Sequence, residues 1–541
     1  MTKTQKLMTD FFKLLLQCLL LSKSPMNDNC GVFAAYDLEK RRNVTPKVIN
    51  GLLDLQHRGQ LSAGISSFQE TRDSLLKTYK KNGLVNEVFA LLDAEYYRAI
   101  SKDMQGTACI GHTRYATSGS LNTELAQPFE YRHSIPSKWF SFCFNGNLAN
   151  YENLKTQLTA EGHHLKHHVD TEILMHHLAK ALKGGQVPLP EVFRYLQQEI
   201  DGACNIAFLN GNGDFAAYRD QHGIRPLCYA VHDRILYVSS EDYGLRNLTD
   251  NIHSIKPGEM ISVVGDHKTV QLEQVAEPKP AHCYFEWVYF SNTASSIDDI
   301  PVYLARIKFG EELAAIEDQP LDDECVVVAV PDSARAAGQG FSKATGIEQG
   351  EGILKNRYAQ RTFIEGHADR ERKVAEKYSY IRQVLDGKKV FLVEDSLARA
   401  TTFKFLVQAL RAHASPKEIH LRVACPPIFA PCFYGIDIPN ERELFAPKFH
   451  ESLTSGVLPP EVLKKMAEVL NVDSIKFLPV ESLVKAIGLE ANKLCMACIN
   501  RQYPTPAATP PPRPPAGRSD GAAWRDYSGR SRFFVRRRAA A

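Results

Sequence analysis

KVFLVEDSLARATT, residues 389–402, begins with a continuous apolar and β-branched run and then turns abruptly polar. A strand without alternation is one covered on both faces, as in a parallel sheet. It ends in paired acids, Glu394 and Asp395, and Thr401 and Thr402 follow at the expected start of a helix. In open α/β sheets, ligands bind off the carboxyl ends of the strands. Adjacent carboxylates there suit a ribose diol and Mg²⁺. Hydroxyls at a helix N-terminus suit a 5′-phosphate. A solvated turn would explain an acid pair alone; the apolar strand, acids and threonines together argue for a site.

Upstream, VVVAVPDSAR (326–335) has the same plan. A strand ends in Pro331-Asp332-Ser333, and the small residues Ala336, Ala337 and Gly338 let backbone N–H groups approach a phosphate. Ser333, Glu394 and Asp395 are the candidate Mg²⁺ donors. Between the two strands, LKNRYAQRTFI (354–364) and KYSYIRQVLDGKKV (377–390) carry basic residues suited to a diphosphate. From about residue 283 the chain alternates strand and helix, which is α/β architecture.

Residues 30 to about 275 read differently. Short apolar runs (GVFAAY, ACIGHTRYA, FCFNGNLAN, CNIAFLN, ILYVSS) are separated by Gly, Asn and Asp. That spacing predicts layered sheets flanked by helices near 46–57 and 171–183. The chain therefore divides into an extension (1–29), a layered α+β domain (30–275), an α/β domain with a parallel sheet (283–503) and a tail (504–541).

Composition agrees with this division. The 541 residues suggest two to four domains, and 44% apolar with 23% charged residues is ordinary for soluble globular chains. Sixty-five basic against 62 acidic residues, a net of +3, gives no electrostatic case for nucleic-acid binding. Phe11 to Leu21 is apolar but short and interrupted by Lys13, so it cannot span a bilayer. A secretory signal lacks a small-x-small cleavage site; a removable pro-segment, or a start at Met26, remains. Pro504 to Ala541 is Pro-rich and then Arg-rich, which reads as a disordered tail. The run His163-His164-Leu165-Lys166-His167-His168 reads as a solvated loop before an adventitious metal site.

Cys30-Gly31-Val32-Phe33 opens the first folded strand. With residues 1–29 removed, the α-amino group of Cys30, of reference pKa near 8, becomes an available base for its own thiol. Most cysteines in such a place are packing residues; the company of this one argues otherwise. Arg114, ending IGHTR, is a bidentate carboxylate clamp. Asn145 and Gly146 offer an amide and a backbone N–H for an oxyanion. Asp170, expected at a helix cap, suits an ammonium group. These are the contacts of an amino acid whose side-chain carbonyl reacts.

In order, CGVF, LQHRGQ-SAGI (55–65), GHTRYAT, NGNL, DTE and RDQHGIRPL (219–227) resemble the N-terminal-nucleophile glutamine amidotransferase domain, a layered α/β/β/α sandwich. The resemblance implies that Cys30 attacks glutamine, that Arg114 and Asp170 grip it, and that Asn145 and Gly146 stabilise the oxyanion. Leu61 stands where that family has Glu. The VEDS-to-TT stretch resembles the phosphoribosyl pyrophosphate loop of type I phosphoribosyltransferases, pattern VDDSIVRGTT. It implies substrate contacts at Asp332, Ser333, Glu394, Asp395, Thr401 and Thr402. Ala400 replaces that pattern's Gly; if the position takes a positive φ, alanine costs about 1 kcal/mol.

The pair of domains resembles the glutamine phosphoribosylpyrophosphate amidotransferases over roughly Cys30 to Thr505. The activity implied is glutamine hydrolysis and transfer of the ammonia, inside the protein, to C1 of phosphoribosyl pyrophosphate. The products are 5-phosphoribosylamine, pyrophosphate and glutamate, the first committed step of purine synthesis. A homotetramer with purine-nucleotide feedback is implied too. A weakened paralogue that binds nucleotides as a regulator, and an amidotransferase acting on a sugar phosphate, are the competing readings; the VEDS-to-TT stretch argues against the latter.

Cys495-Met-Ala-Cys498 alone reads as a redox pair, half a zinc site or an incidental pair. Cys283 (HCYFEWVYF) and Cys432 (APCFYGIDIP) lie in family-like segments, and the iron–sulfur, pro-segment subgroup places four such cysteines around a [4Fe–4S] cluster. Four thiolates suit that cubane or tetrahedral zinc. Cys18, Cys109, Cys143, Cys204, Cys228, Cys325 and Cys425 read as packing residues. A cluster and a free nucleophilic thiol both favour a reducing cytoplasm.

Overall fold

The structure is a computed structural model that describes residues 30–508 apart from 72–73, 116–121, 266–268, 357–377, 439 and 454–455. The extension with Cys18, Ala116 and Thr117, the basic stretch 357–364, Lys377, the side chain of Thr402 and the tail from 509 lie outside the described residues.

Among the described residues, thirteen strands make the first domain: β1 Cys30–Asp37, β2 Ser62–Phe68, β3 Leu76–Asn82, β4 Ala108–Arg114, β5 Phe129–Tyr131, β6 Phe140–Leu148, β7 Gly202–Asn210, β8 Phe215–Tyr218, β9 Cys228–His232, β10 Ile235–Ser239, β11 His253–Ser254, β12 Glu259–Val263 and β13 Gln271–Gln274. They form a seven-stranded sheet, β11-β9-β10-β1-β4-β2-β3, and a six-stranded sheet, β13-β12-β8-β7-β6-β5. Val32, Ala34 and Tyr36 of β1 meet Cys143, Ala207, Leu209 and Ala217 of the other sheet in one apolar layer. Phe33 and Ala35 point the other way, against Val48, Ile49 and Leu52 of the helix Thr45–Asp54. A strand buried on both sides has apolar residues at every position, which is why GVFAAY shows no alternation. The outer face of the second sheet packs on helices Tyr151–Ala160, Asp170–Ala181 and Leu189–Glu199. The layers run helix, sheet, sheet, helix, as the resemblance implied.

The second domain is built on a parallel sheet of Cys325–Ala329, Lys389–Glu394, Glu418–Val423 and Ser474–Phe477, in that order. Val327 lies opposite Phe391 in it, and both are fully buried. Helices Arg335–Thr345 and Thr401–Ala414 follow the first two strands. The tail boundary is corrected: the packed chain runs on to Ala508, with Pro506 exposed on the way. Thr505 Oγ1 is 2.9 Å from the Tyr434 hydroxyl, the Ala507 N–H donates to Asp201 Oδ2 at 2.9 Å, and Ala508 is buried. Proline density excludes helix and ladder there, but an extended strip still packs through side chains and scattered hydrogen bonds.

Candidate active sites

Strand alternation gathers the first site. Even-numbered residues of β1 and β4, such as Val32 and Ile110, face the second sheet, so Cys30, His112 and Arg114 continue that set. On β6 the inward positions are odd, with Cys143 in the shared core, so Asn145 faces them from the opposite sheet. Cys30 is directly opposite Arg114 across the β1–β4 ladder, and Ser62 of β2 flanks Arg114 on its other side. The Val32 N–H and Asn145 Nδ2 both donate to Ser240 Oγ, at 2.9 and 3.4 Å, which ties the asparagine to the strand of Cys30.

At this end of the intersheet layer apolar side chains give way to polar ones. Ser62 Oγ, His112 Nδ1, Asn145 Oδ1 and Asn205 Oδ1 are buried without a hydrogen-bond partner among the described residues. Each such group costs about 1–3 kcal/mol, as expected where a polar ligand completes the bonding. His112 donates Nε2–H to the Phe144 carbonyl at 3.1 Å when neutral; burial first, and then Arg114, push its pKa down to about 3. Gly146 has no substitute here: a Cβ on it would lie 1.9 Å from the Ala203 carbonyl oxygen.

Asp170 differs from expectation. It is the first residue of its helix, not the cap before it, and accepts from the Thr171 N–H at 2.7 Å. Glu172 gathers the incoming loop instead, accepting from the N–H groups of Lys166, His167 and His168 at 2.6, 2.9 and 2.9 Å. Burial first, then the charges of Asp220 and Asp170, push up the thiol of Cys204, the ladder partner of Gly146.

Sequence reasoning assigned no role to a buried charge network behind Cys30. Arg58 Nε donates to the Cys30 carbonyl at 3.1 Å. Its other nitrogens reach Glu241 at 2.5 Å and Glu286 at 2.8 Å. Arg225 pairs with Glu286 at 2.9 Å and also donates to the Tyr434 carbonyl at 3.0 Å. All four charged side chains are at most 1% exposed. Burial alone would raise the Glu241 and Glu286 carboxyls; His57 and Arg58 beside the first, and Arg58 and Arg225 beside the second, outweigh it and hold both below the carboxylate range. Arg58 and Arg225 were visible only as letters of the QHRG and GIRP motifs, because paired burial cannot be read from spacing.

The second site lies at the carboxyl ends of Cys325–Ala329 and Lys389–Glu394, the outer strand of the parallel sheet and its neighbour. Ser333 Oγ donates to the Asp395 carboxylate, which also accepts from Ser396 at 2.6 Å. Burial pushes the Asp395 carboxyl up, against Ser333, Ser396 and Arg306. A divalent cation would relieve that burial of charge, and a carboxylate–hydroxyl set of oxygen donors with Glu394 adjacent fits Mg²⁺. Asp332 reaches outward to Lys355 at 2.6 Å. Ala400 precedes the helix Thr401–Ala414 with φ +59° and ψ −9°, the left-handed conformation that its glycine counterpart adopts freely. Arg399 pairs with Asp437 at 3.2 Å and Glu443 at 2.9 Å.

The four cysteines share one neighbourhood. Cys283 and Cys495 are ladder partners in a two-residue parallel pair. The Tyr434 N–H donates to Cys432 Sγ at 3.3 Å, and Tyr284 Oη lies 3.3 Å from Cys498 Sγ. Burial pushes the Cys283 thiol up to about 12, with Cys432 adding to the rise; Cys432, Cys283 and Cys495 add to that of Cys498. Among the described residues no group of three or more His, Cys, Asp or Glu is gathered closely enough to hold a metal ion as it stands. The donor chemistry nonetheless fits a thiophilic group: two buried and two partly buried thiols whose ionisation is costly without a cation to stabilise it.

A two-sheet sandwich with a cysteine facing an arginine at its polar end, joined to a parallel-sheet domain with an acid–hydroxyl loop, defines a glutamine amidotransferase coupled to a phosphoribosyltransferase-type domain. Residues 112–247 match the family model described as "Glutamine amidotransferase domain". The amidophosphoribosyltransferase of Methanothermobacter thermautotrophicus is 34% identical, over 90% of this chain and 97% of its own. That of Pyrococcus horikoshii is 38% identical, over 88% and 97%. The solved structure of the glutamine phosphoribosylpyrophosphate amidotransferase from B. subtilis, complexed with ADP and GMP, superimposes with a TM-score of 0.75 at 32% identity, over 88% of this chain and 98% of that one. The chain belongs to the amidophosphoribosyltransferase family.

Proposed function

We propose that the chain makes 5-phosphoribosylamine from phosphoribosyl pyrophosphate and glutamine, with Cys30 as the nucleophile of the glutamine half-reaction. The observation that carries this is the Cys30–Arg114 pairing at the polar end of the intersheet layer. Arg114 takes the α-carboxylate and Asp170 the α-ammonium, which fixes the side-chain amide over the thiol. The amine of Cys30, freed by loss of residues 1–29, accepts the thiol proton. Sulfur attacks the amide carbon, and the oxyanion is met by Asn145 and the Gly146 N–H. Collapse releases ammonia and leaves a thioester that water hydrolyses to glutamate. Ammonia then attacks C1 of the sugar and pyrophosphate leaves. The 5′-phosphate sits at the start of the Thr401–Ala414 helix, and Glu394 and Asp395 hold the ribose hydroxyls. Ser333, Glu394 and Asp395 would hold Mg²⁺, which would supply positive charge to the diphosphate.

Cys283, Cys432, Cys495 and Cys498 would hold a [4Fe–4S] cluster in a cytoplasmic, homotetrameric enzyme. Purine nucleotides inhibit it at the phosphoribosyl site; the solved relative's complex with ADP and GMP supports nucleotide binding. Among the described residues no helix is long and apolar enough to cross a membrane.

The test is N-terminal sequencing of anaerobically purified protein with glutamine-dependent pyrophosphate release. A mature chain starting at Cys30 that turns over is expected. A chain retaining residues before Cys30, with ammonia-dependent turnover only, would sink the terminal-nucleophile reading. Iron and inorganic sulfide in equal amounts, lost in Cys432→Ser, test the cluster; zinc in their place would overturn it.

A further inference from the structure

Both halves of the glutaminase site are fastened to one loop of the other domain. Asn147, two residues after Asn145 on β6, donates Nδ2–H to the Phe433 carbonyl at 2.8 Å. The next carbonyl, of Tyr434, accepts from Arg225 Nη2 at 3.0 Å and Nε at 3.3 Å. Arg225 continues through Glu286 to Arg58, whose Nε holds the Cys30 carbonyl at 3.1 Å. One arm therefore ends on the nucleophile's backbone, the other on the oxyanion strand. Tyr434 is itself fixed, by its N–H to Cys432 Sγ at 3.3 Å and its hydroxyl to Thr505 at 2.9 Å. On its far side the same segment reaches the phosphoribosyl loop, where the Phe445 N–H donates to the Ala398 carbonyl at 2.8 Å.

We infer that Arg225 and Asn147 are positioning residues for the glutamine half-reaction: by gripping the Phe433 and Tyr434 carbonyls they set the distance between the Cys30 sulfur and the oxyanion pocket. This rests on the glutaminase reading above. Neither residue reaches reacting atoms. The pairing is geometric, because Glu241 and Glu286 balance the charges of Arg58 and Arg225, and only backbone carbonyls are taken from the loop. Without either grip, β1 and β6 would still pair within their sheets, so the domain keeps its fold while the two halves of the site lose their common reference. A misplacement near 1 Å costs on the order of 100-fold in rate.

The experiment measures glutamine- and ammonia-dependent pyrophosphate release by full-length Asn147→Ala, Arg225→Lys and Arg225→Met. It adds the rate at which a diazoketone glutamine analogue labels Cys30. Glutamine-dependent kcat should fall roughly 10–100-fold, with KM for glutamine changed less than threefold and ammonia-dependent turnover within twofold of the parent. Arg225→Lys, which keeps one donor, should lie between Arg225→Met and the parent, and labelling should slow in the same order. Parallel loss of glutamine- and ammonia-dependent rates would overturn the inference, since that marks general loosening of the domain junction. So would labelling and turnover unchanged in Asn147→Ala, the half-buried site whose loss cannot unfold the core if Arg225→Met does. A parent enzyme without glutamine turnover fails the underlying reading, and the labelling series then decides the positioning claim alone.

Discussion

Cys30 and Arg114 are ladder partners, on adjacent antiparallel strands, with both side chains in the space between the two sheets. The proposed nucleophile and clamp are therefore set by strand register and not by flexible loops. A one-residue slip would turn one of them to the helical face.

Removing the sulfur separates the two half-reactions. Cys30→Ala should lose glutamine-dependent turnover by at least about 10³-fold, in keeping with loss of a covalent nucleophile. Ammonia-dependent pyrophosphate release should stay within twofold. Loss of both in a folded protein would show that Cys30 acts on the phosphoribosyl site as well.

Arg114→Lys keeps the charge and loses the fork. A bidentate carboxylate contact is not reproduced by one ammonium, so the KM for glutamine should rise about 10–100-fold, equivalent to some 1.4–2.8 kcal/mol. The ammonia-dependent rate should not change. A KM within twofold of the parent would remove the arginine from substrate binding.

Much of this site could be read in the chain. Cys30, Arg114, Asn145 and Gly146 sit in short motifs whose residue types state their chemistry, and β-strand alternation brings them together. Helix starts were less legible: DTE announces a cap, yet Glu172 and not Asp170 satisfies the loop N–H groups. The Arg58–Glu241–Glu286–Arg225 network was not legible at all, since its partners are 183 and 228 residues apart along the chain from Arg58. The tail boundary at Pro504 misled because composition reports the lack of a core pattern, while Thr505 and Ala508 pack into a groove already made by others.

Gly146→Ala should abolish glutamine-dependent turnover. The added methyl would stand 1.9 Å from the Ala203 oxygen, and the β6–β7 ladder must open to admit it. Overpacking of this kind costs about 1–3 kcal/mol, enough to lower Tm by a few degrees. Normal stability with normal glutamine turnover would contradict the close approach.

Ala400→Gly tests the left-handed residue at the phosphoribosyl loop. Alanine at φ +59° carries about 1–2 kcal/mol of strain, and glycine removes it at the expense of about 0.5–1 kcal/mol of chain entropy. The net is a stabilisation of up to about 1.5 kcal/mol, together with a lower half-saturating concentration of phosphoribosyl pyrophosphate. A fall in Tm would show that the alanine methyl contributes packing that outweighs the strain.

His112 gives the acid limb of stability a definite sign. Burial first, and then Arg114, lower its pKa to about 3, whereas in the unfolded chain it titrates near 6.5. Between those values the unfolded state holds the extra proton, so stability is complete above pH 6.5 and is lost as pH falls toward 3. At pH 5 the loss from this residue alone is on the order of 2 kcal/mol. His177, lowered to about 4 by burial, adds to the same limb. Glu241, Glu286 and Asp298 are shifted below the carboxylate range, so their contributions fade only below about pH 4.5 and do not obscure this window. His112→Gln keeps a donor for the Phe144 carbonyl without a titrating ring. Its urea-unfolding free energy should therefore fall less steeply than the parent's between pH 6.5 and 4.5. Parallel slopes for the two proteins would mean that the buried imidazole is already protonated in the folded state, with the unpaired Nδ1 satisfied by a group that binds there.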